Sequence, residues 1–237
     1  MDTVAKTGSS RSSQVASGTD CCLCNIERIS YRDALALQLD LHAKVVAKEL
    51  PRALLLLEHD PVITKGVKTG AGNVLVSTEA LERQGVELVS TDRGGDVTYH
   101  GPGQLVGYPI FPLREMGFDL HGYLRSLEQC IIDVLAEFGL KGERNGPAGV
   151  WVGDKKVCSI GVAVRKWVTY HGFALNVAPN MRHFSLINPC GLQSNQITCL
   201  RDLLGAAPSM DDVRAACAHA FERNFGVTFC PLPGGSP

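Results

Sequence analysis

Apolar residues recur along this chain at two spacings, one that fits helices and one that fits strands. Three stretches, 30–51, 119–139 and 209–226, carry apolar residues three and four positions apart. Each begins with Ser or Asp, whose side chain can accept a hydrogen bond from the first turn, and each closes on Pro or Gly. These three stretches are predicted to form amphipathic helices.

Strand patterns occupy much of the sequence between the helices. Residues 53–59, which begin with the apolar run Ala53–Leu57, predict a buried strand, and 86–90 and 104–111 are strand-like as well. Long strands are predicted within 150–177, where Gly153-Asp154 has the composition of a two-residue hairpin turn. Helices interspersed with hairpin strands indicate an α/β protein of the α+β type, with a mixed, largely antiparallel sheet flanked by helices.

The composition is that of one globular domain. A chain of 237 residues, 45% of them hydrophobic, can bury a sizeable core. The formal net charge of −1 gives no general attraction to nucleic acid. The longest apolar run, Ala53–Leu57, is too short to span a membrane. We therefore expect neither nucleic acid nor a membrane as a partner.

The first residues differ in composition from the rest. They are rich in Ser, Thr, Ala and Gly and contain no apolar core, which is typical of a disordered segment and unlike a secretory signal. We predict a disordered head at 1–24, one folded domain at 25–230 and a short tail at 231–237. The expected location is the cytoplasm, with the mitochondrial matrix as the alternative if the head is the remnant of a transit peptide.

The densest group of candidate functional residues lies at 92–104, between two predicted strands. Four glycines, a proline, Arg93, Thr98, Tyr99 and His100 share these thirteen residues. An ordinary turn needs about two to five residues and no such set of polar side chains. Neither a P-loop nor a dinucleotide fingerprint fits, because no Lys-Ser/Thr follows the glycines and a strand follows them instead of a helix. The segment is predicted to wrap backbone N–H groups and small residues around an elongated or polar substrate.

One of the nine cysteines stands apart from the others. Cys190 lies between Pro and Gly on a predicted bend, whereas Cys130, Cys158, Cys217 and Cys230 fall within or beside helices and strands, as structural cysteines do. A nucleophilic thiol has to be accessible and has to be ionised by a nearby cation or base. Cys190 is therefore the candidate nucleophile.

The number and spacing of the cysteines indicate a reducing compartment. Nine is an odd number, and the spacing lacks the density of a secreted disulfide scaffold. The Cys21-Cys22-x-Cys24 cluster matches no standard spacing of zinc ligands. Neither a metal nor another cofactor is expected.

Two lysines follow the predicted hairpin turn, and strand alternation separates them. Lys156 is expected to share the more apolar face with Cys158, Ile160 and Val162, while Lys155 lies on the other face. A lysine at the start of an apolar face is partly desolvated and can serve as an acid or a base. The alternative is that Lys156 extends from the sheet edge into water, and its position alone leaves both open.

These segments, in this order, resemble the lipoyl(octanoyl) transferases of protein lipoylation. The family's signature loop is similar to the Arg-Gly-Gly-x-x-Thr-Tyr-His-x-x-Gly-Gln stretch at 93–104, and its acyl-carrying cysteine matches Cys190 in an Asn-Pro-Cys-Gly turn. Its catalytic lysine matches Lys156, and 171–177 resembles a further segment that lines the acyl pocket. The resemblance covers about residues 26–229 and implies the biotin/lipoyl protein ligase catalytic-domain fold.

The resemblance also implies a reaction and its partners. Cys190 takes the octanoyl (or lipoyl) group from octanoyl-acyl carrier protein as a thioester, and a lysine of a lipoyl domain accepts it as an amide, without ATP. Lys156 acts as acid and base in these steps. The implied acceptors are lipoyl domains of 2-oxoacid dehydrogenase E2 subunits and the glycine cleavage H protein. The implied binding residues are Arg93, Gly94, Gly95, Asp96, Val97, Thr98, Tyr99, His100, Ser159, Ile160, Gly161, Gly172, Phe173 and Ala174.

Two other functions compete with this one. An ATP-dependent lipoate–protein ligase shares the fold but needs no nucleophilic thiol, so Cys190 argues against it. A non-catalytic module that only binds acyl carrier protein needs neither Cys190 nor Lys156. Within the transferase interpretation, His100 is a further catalytic candidate because histidine commonly partners a reactive thiol, and His171 is its rival.

Overall fold

The computed structural model describes residues 19–188, 192 and 194–231, so Cys190 lies outside the described residues. None of the helices within these ranges is long and apolar enough to cross a membrane. Two 3-10 helices span Met181–Leu186 and Ser194–Gln196. The α-helices are α1 Tyr31–Val46, α2 Thr78–Glu82, α3 Leu120–Glu137, α4 Leu200–Leu204 and α5 Met210–Phe225.

Two sheets organise the fold. The strands are β1 Asp20–Asn25, β2 Ala53–Leu57, β3 Val62–Lys65, β4 Glu87–Ser90, β5 Thr98–His100, β6 Gln104–Ile110, β7 Gly149–Val152, β8 Lys155–Arg165, β9 Val168–Asn176 and β10 Thr228–Pro231. Seven of them form a sheet in the order β10-β1-β2-β6-β9-β8-β7, and β4-β3-β5 form a second, three-stranded sheet. In the large sheet β1 runs parallel to β10 and β2, and the other neighbours are antiparallel. The predicted mixed, largely antiparallel sheet is confirmed.

The three predicted helix starts are confirmed by their caps. The side chains of Ser30, Asp119 and Ser209 each accept a hydrogen bond from the backbone N–H three residues further on. α5 ends where predicted, at Gly226, which has a φ of 62°. α1 is shorter than predicted and ends at Val46, ahead of the proline that was expected to stop it.

Helices cover both faces of the large sheet. α3 and α5 pack side by side on one face, where the ring of Phe221 stacks on Phe173 of β9 with centroids 6.0 Å apart. α1 packs on the other face, and its buried Leu41 and Val45 contact the inner strands β2 and β6. The domain core therefore lies in two layers, one on each side of the sheet.

The N-terminal boundary predicted at residue 25 is wrong. Residues 20–25 form β1, an inner strand of the large sheet, in which Cys22 pairs with Ala53 of β2 and with Cys230 of β10. Both partners are distant in sequence, so no local pattern reports the pairing. At the other end Pro231 belongs to β10 and not to the tail. Residues 1–18 and 232–237 of the predicted head and tail lie outside the described residues.

The segment at 92–104 contains a strand that the sequence did not predict. Thr98–His100 forms β5, which pairs antiparallel with β3 so that Tyr99 lies opposite Ile63. Residues 92–97 and 101–103 remain irregular on either side of it. Residues 92–104 are called the signature segment below. The second sheet thereby carries part of this segment and holds it against the large sheet.

A β-bulge in the β7–β8 hairpin changes the predicted orientation of Lys156. Val150 pairs with Cys158 and Trp151 pairs with Lys156, so Val157 is an additional residue in β8. A bulge interrupts the alternation of side chains. Because neighbouring residues of β7 point to opposite faces, Lys156 and Cys158 also lie on opposite faces. The predicted sharing of one face by these two residues is wrong.

Candidate active site

A cavity of about 740 Å³ lies where the large sheet, the signature segment and α3 meet. Glycines and apolar side chains make up most of its wall. Residues 159–162 of β8 and 171–174 of β9 form one side. The predicted site residues that line it are Arg93, Gly94, Gly95, Asp96, Val97, Thr98, His100, Lys156, Ser159, Ile160, Gly161, Gly172, Phe173 and Ala174.

Tyr99 is the exception among the described residues that were predicted to bind substrate. Its buried ring packs edge-on against His183 and Phe184, with centroid distances of 4.9 and 5.4 Å, and it does not line the cavity. Side chains alternate along β5, so Thr98 and His100 reach the cavity while Tyr99 points to the other face. A binding role for Tyr99 has no support from the cavity and stays a prediction.

The backbone of the signature segment is anchored to the part of β8 that lies beyond its pairing with β7. The Gly94 N–H donates a hydrogen bond of 2.9 Å to the Val162 carbonyl. A Cβ at Gly161 would lie only 2.6 Å from the Gly94 carbonyl oxygen, and a Cβ at Gly94 would lie 3.1 Å from the Val162 carbonyl oxygen. These close approaches require glycine at 161 and favour it at 94.

Arg93 is buried and is held by the neighbouring sheet. Its Nε and Nη2 donate hydrogen bonds of 3.1 and 2.9 Å to Thr64 Oγ1, and Nη2 also donates to the Thr64 carbonyl at 2.7 Å. Thr64 belongs to β3. The guanidinium therefore has a fixed position and adds positive charge to the cavity wall.

Two nearby hydrogen-bond donors orient the Asp96 carboxylate. Its two carboxylate oxygens accept hydrogen bonds of 2.6 Å, one from Asn73 Nδ2 and one from the Val97 N–H. Asn73 lies in the irregular segment before α2. Asp96 thus connects that segment to the cavity wall.

His100 is neutral in this structure. The side chain is 6% exposed, and its Nδ1 and Nε2 lie 2.8 Å from Gln104 Oε1 and 3.4 Å from Thr64 Oγ1. Burial, together with the positive charge of nearby groups, holds the pKa of His100 well below its usual value. A ring whose two nitrogens both have partners is poorly placed to accept a proton from substrate.

His171, the rival base, is fixed at the beginning of the signature segment. Its Nε2 lies 2.9 Å from Asp92 Oδ1, and Tyr170 donates to the other carboxylate oxygen. Burial lowers the pKa of His171 although the carboxylate opposes this effect. The backbone φ of His171 is 56°, which is uncommon for a residue other than glycine. His171 lines the cavity, and the contact of its Nε2 with Asp92 orients its ring.

Lys156 is the buried member of the lysine pair. It is 4% exposed, whereas Lys155 is exposed, so of the two open alternatives the desolvated lysine is confirmed, although the predicted face is wrong. Its Nζ lies 5.8 Å from the centre of the Trp151 ring. A Cβ at Gly149 would lie 2.6 Å from Lys156 Cε, so this glycine leaves room for the side chain. The alternative in which Lys156 extends into water is wrong.

Eight of the nine cysteines lie in described residues, and all eight are free thiols. Burial raises the pKa of seven of these thiols, for example to about 12 in both Cys22 and Cys158. Thiols with raised pKa values stay protonated at neutral pH and are weak nucleophiles. The nucleophilic role of Cys190 stays a prediction, since it lies outside the described residues.

Sequence reasoning missed several residues that line the cavity. Tyr31 from α1, Tyr108 from β6 and the α3 residues Leu120 and Leu124 all contribute to the wall. Their local patterns resemble those of any core residue. Only the assembly of elements that are distant in the sequence brings them to the same cavity, so no motif identifies them.

We expect Gly161→Ala to impair the cavity with a limited loss of stability. The new Cβ would lie 2.6 Å from the Gly94 carbonyl oxygen, so the signature segment has to move. Overpacking of this kind costs about 1–3 kcal/mol and should lower the rate of acylation of the protein at least about tenfold. The measurement is the single-turnover acylation rate together with Tm. Ala163→Val, on the same strand but outside the cavity wall, is the control; an acylation rate for Gly161→Ala equal to that of Ala163→Val would contradict the prediction.

The fold and the cavity have counterparts among known sequences. The sequence profile of the lipoyl protein ligase A/B catalytic domain matches residues 30–222. A protein of Caldicellulosiruptor saccharolyticus named octanoyltransferase is 48% identical, over 87% of this chain and 89% of its own length. One of Solibacter usitatus with the same name is 45% identical, over 92% of this chain and 97% of its own.

The chain therefore belongs to the lipoyl protein ligase A/B catalytic-domain family. Within that family, these relatives place it among the transferase enzymes. The resemblance inferred from the motifs is confirmed.

Solved structures show the same fold at low sequence identity. A crystal structure of lipoate–protein ligase A bound with ATP has a TM-score of 0.74 and 17% identity, and the match covers 90% of this chain and 88% of that one. The biotin protein ligase of Aquifex aeolicus has a TM-score of 0.51 and 12% identity, with coverage of 86% and 68%. The predicted biotin/lipoyl protein ligase fold is thus confirmed, and the likeness extends to the fold alone.

Proposed function

We propose that the protein transfers an octanoyl or lipoyl group from acyl carrier protein to a lysine of a lipoyl domain, through a thioester on Cys190. The observation that carries this proposal is the buried Lys156 in the wall of a mostly apolar cavity. An apolar cavity suits an eight-carbon acyl chain, and a desolvated lysine suits proton transfer at its thioester end. Curated relatives named octanoyltransferases support the same chemistry.

Two described residues that follow Cys190 in the sequence lie at the cavity or beside Lys156. Leu192 lines the cavity, and Ile197 forms a β-bridge with Lys156. The cavity wall therefore includes both Lys156 and a residue two positions after Cys190. This supports the proposed pairing of the Cys190 thiol with the Lys156 amine.

In the first step the Cys190 thiolate attacks the carbonyl carbon of the donor thioester. A new carbon–sulfur bond forms, the bond to the carrier's sulfur breaks, and the carrier leaves as a thiol after it takes a proton. The Lys156 ammonium stabilises the attacking thiolate and can supply that proton. One thioester replaces another, so the step needs no nucleotide.

In the second step the amine of the acceptor lysine attacks the octanoyl thioester on Cys190. The amide bond forms, the carbon–sulfur bond to Cys190 breaks, and neutral Lys156 takes the proton that the attacking amine loses. The amide is more stable than the thioester, which drives the reaction forward. Arg93 and the backbone of the signature segment hold the acyl thioester in place.

We assign octanoyl-acyl carrier protein as the donor, and lipoyl domains of 2-oxoacid dehydrogenase E2 subunits and the glycine cleavage H protein as acceptors. Both partners present their reacting group on a long arm, one on a prosthetic group and one on a lysine side chain. The cavity accepts the acyl chain alone and leaves both proteins outside. The cytoplasm is the proposed location, and the mitochondrial matrix is the alternative.

The proposal predicts octanoyl transfer in the absence of nucleotide and magnesium. Purified protein, octanoyl-acyl carrier protein and a lipoyl domain should give an octanoylated domain, measured by intact mass. The matched reaction contains free octanoate, ATP and magnesium in place of the carrier thioester. Greater transfer in the matched reaction would show that the protein is an ATP-dependent ligase and not the proposed transferase.

A further inference from the structure

A series of hydrogen bonds begins at Arg93 and passes through His100, and each residue in it donates to the next one. Thr64 Oγ1 accepts two hydrogen bonds from Arg93, so its own proton is free to be donated elsewhere. The His100 Nε2 lies 3.4 Å away and can accept it. Arg93, Thr64 and His100 are thereby linked in that order.

The other ring nitrogen continues the series in the same direction. Gln104 Nε2 donates to the Tyr99 carbonyl at 3.1 Å and to Asn176 Oδ1 at 2.8 Å, which fixes the orientation of the amide. Gln104 Oε1, at 2.8 Å from His100 Nδ1, can only accept. His100 Nδ1 therefore carries the proton, and Nε2 is the acceptor.

The series ends on the backbone of Lys156. Asn176 Nδ2 donates to the Thr198 carbonyl at 3.0 Å. The Thr198 N–H donates to the Lys156 carbonyl at 2.9 Å. Five residues thus connect the buried arginine of the signature segment with the strand position that holds the candidate acid–base lysine.

The surroundings of His100 oppose a positive charge on its ring. Arg93 carries a charge close to it, and the histidines His59 and His171 would repel a protonated ring. The His59 ring packs edge-on at a centroid distance of 5.7 Å, and the Tyr31 ring lies parallel to it at 6.2 Å. Four titratable residues therefore surround the neutral imidazole: His59 after β2, Arg93 of the signature segment, His171 of β9 and Tyr31 of α1.

We infer that His100 is a positioning residue for the transfer reaction: as a neutral imidazole it joins Arg93 to Lys156 through Thr64, Gln104, Asn176 and Thr198. The inference rests on the proposed function for its kinetic consequences, but the protonation state of the ring does not depend on it. His100 exchanges no proton with substrate. It sets the distance between the group that holds the acyl thioester and the group that moves the proton.

A neutral amide tests this role because it carries a donor and an acceptor about as far apart as the two imidazole nitrogens. His100→Gln can preserve both links and should transfer octanoyl within about threefold of wild type, with an unchanged pH profile. His100→Leu leaves the hydroxyl proton of Thr64 and the Oε1 of Gln104 without their partner on the ring and should lower kcat about 10- to 100-fold. A general base would instead lose about 10²- to 10⁴-fold in both variants.

Two further variants separate positioning from a general loss of structure. Gln104→Leu breaks the next link and should match His100→Leu, and the double variant should fall little further than either single one, because the links act in series. The control is His42→Leu, which removes a buried histidine of α1 that does not line the cavity and should leave transfer unchanged. Fully additive losses in the double variant would overturn the inference.

The ring itself can be observed without any substrate. Nitrogen-15 NMR of histidine-labelled protein, with the His100 signals assigned by their loss in His100→Gln, should show a neutral Nδ1–H ring from pH 5 to 8. Protonation within that range, or an Nε2–H tautomer, would overturn the inference. If wild type fails to transfer octanoyl, the proposed function falls, while this spectrum still decides the protonation state and tautomer of His100.

Discussion

Replacing Cys190 with alanine should abolish the octanoyl adduct that the wild-type protein gains from octanoyl-acyl carrier protein. Intact mass should show one added octanoyl group in wild type, and hydroxylamine should remove it, as expected for a thioester. The physical reason is elimination among the described thiols: burial raises the pKa of seven of them, which keeps these protonated at neutral pH, and the eighth, Cys230 of β10, does not line the cavity. An adduct that persists in Cys190→Ala would contradict the proposed octanoyl thioester on Cys190.

Cys190→Ser provides the sharper comparison for turnover. A serine alcohol remains protonated at neutral pH even beside a lysine, so it is a much weaker nucleophile. Loss of a nucleophile lowers kcat by roughly 10⁴- to 10⁶-fold, and we expect a loss on that scale. Cys199→Ser is the matched control, because it changes a buried thiol near the same segment that lines no part of the cavity. Equal turnover in Cys190→Ser and Cys199→Ser would refute the assignment.

Replacing Lys156 with alanine should lower octanoyl transfer by about 10²- to 10⁴-fold, the usual contribution of a general acid–base group. It should also slow the alkylation of Cys190 by iodoacetamide and shift the pH profile of that reaction upward, because a nearby ammonium stabilises a thiolate. Lys156→Arg keeps the positive charge but cannot exchange a proton near neutral pH. It should therefore restore alkylation better than transfer.

Lys155→Ala is the control for these measurements. Lys155 is exposed and precedes the bulge, so its loss should leave both alkylation and transfer close to wild type. A larger loss in Lys155→Ala than in Lys156→Ala would exchange the roles of the two lysines. Equal losses would show that neither lysine is the specific partner of Cys190.

Local patterns predicted the three long helices α1, α3 and α5 well and missed the five-residue helices α2 and α4, because only the long helices carry a repeated apolar pattern between their caps. The caps at Ser30, Asp119 and Ser209 and the stop at Gly226 satisfy backbone groups that lie within the same turn. The strand β1 was missed for the opposite reason. Cys22 of that strand pairs with Ala53 and with Cys230, and these partners are far apart in the chain.

The lysine pair shows how a correct expectation can rest on an incorrect geometry. Alternation predicted that Lys156 shares a face with Cys158, and it left open whether the lysine is desolvated or extends into water. The bulge at Val157 reverses the predicted face, yet Lys156 is buried because the opposite face at this position borders the cavity. A bulge depends on the register of two strands, which a single segment does not specify.

Neighbouring residues are enough to indicate the class of chemistry: they specify a glycine-rich polar segment, an Asn-Pro-Cys-Gly sequence, a lysine at the start of a predicted strand and the helix caps. Which side chains surround one cavity, and in which protonation state, depends on contacts between distant parts of the chain. Tyr108 reaches the cavity, Tyr99 does not, and His100 is neutral, since burial and hydrogen-bond partners come from distant parts of the chain. Capping acts over one turn, whereas solvation and register depend on the whole fold.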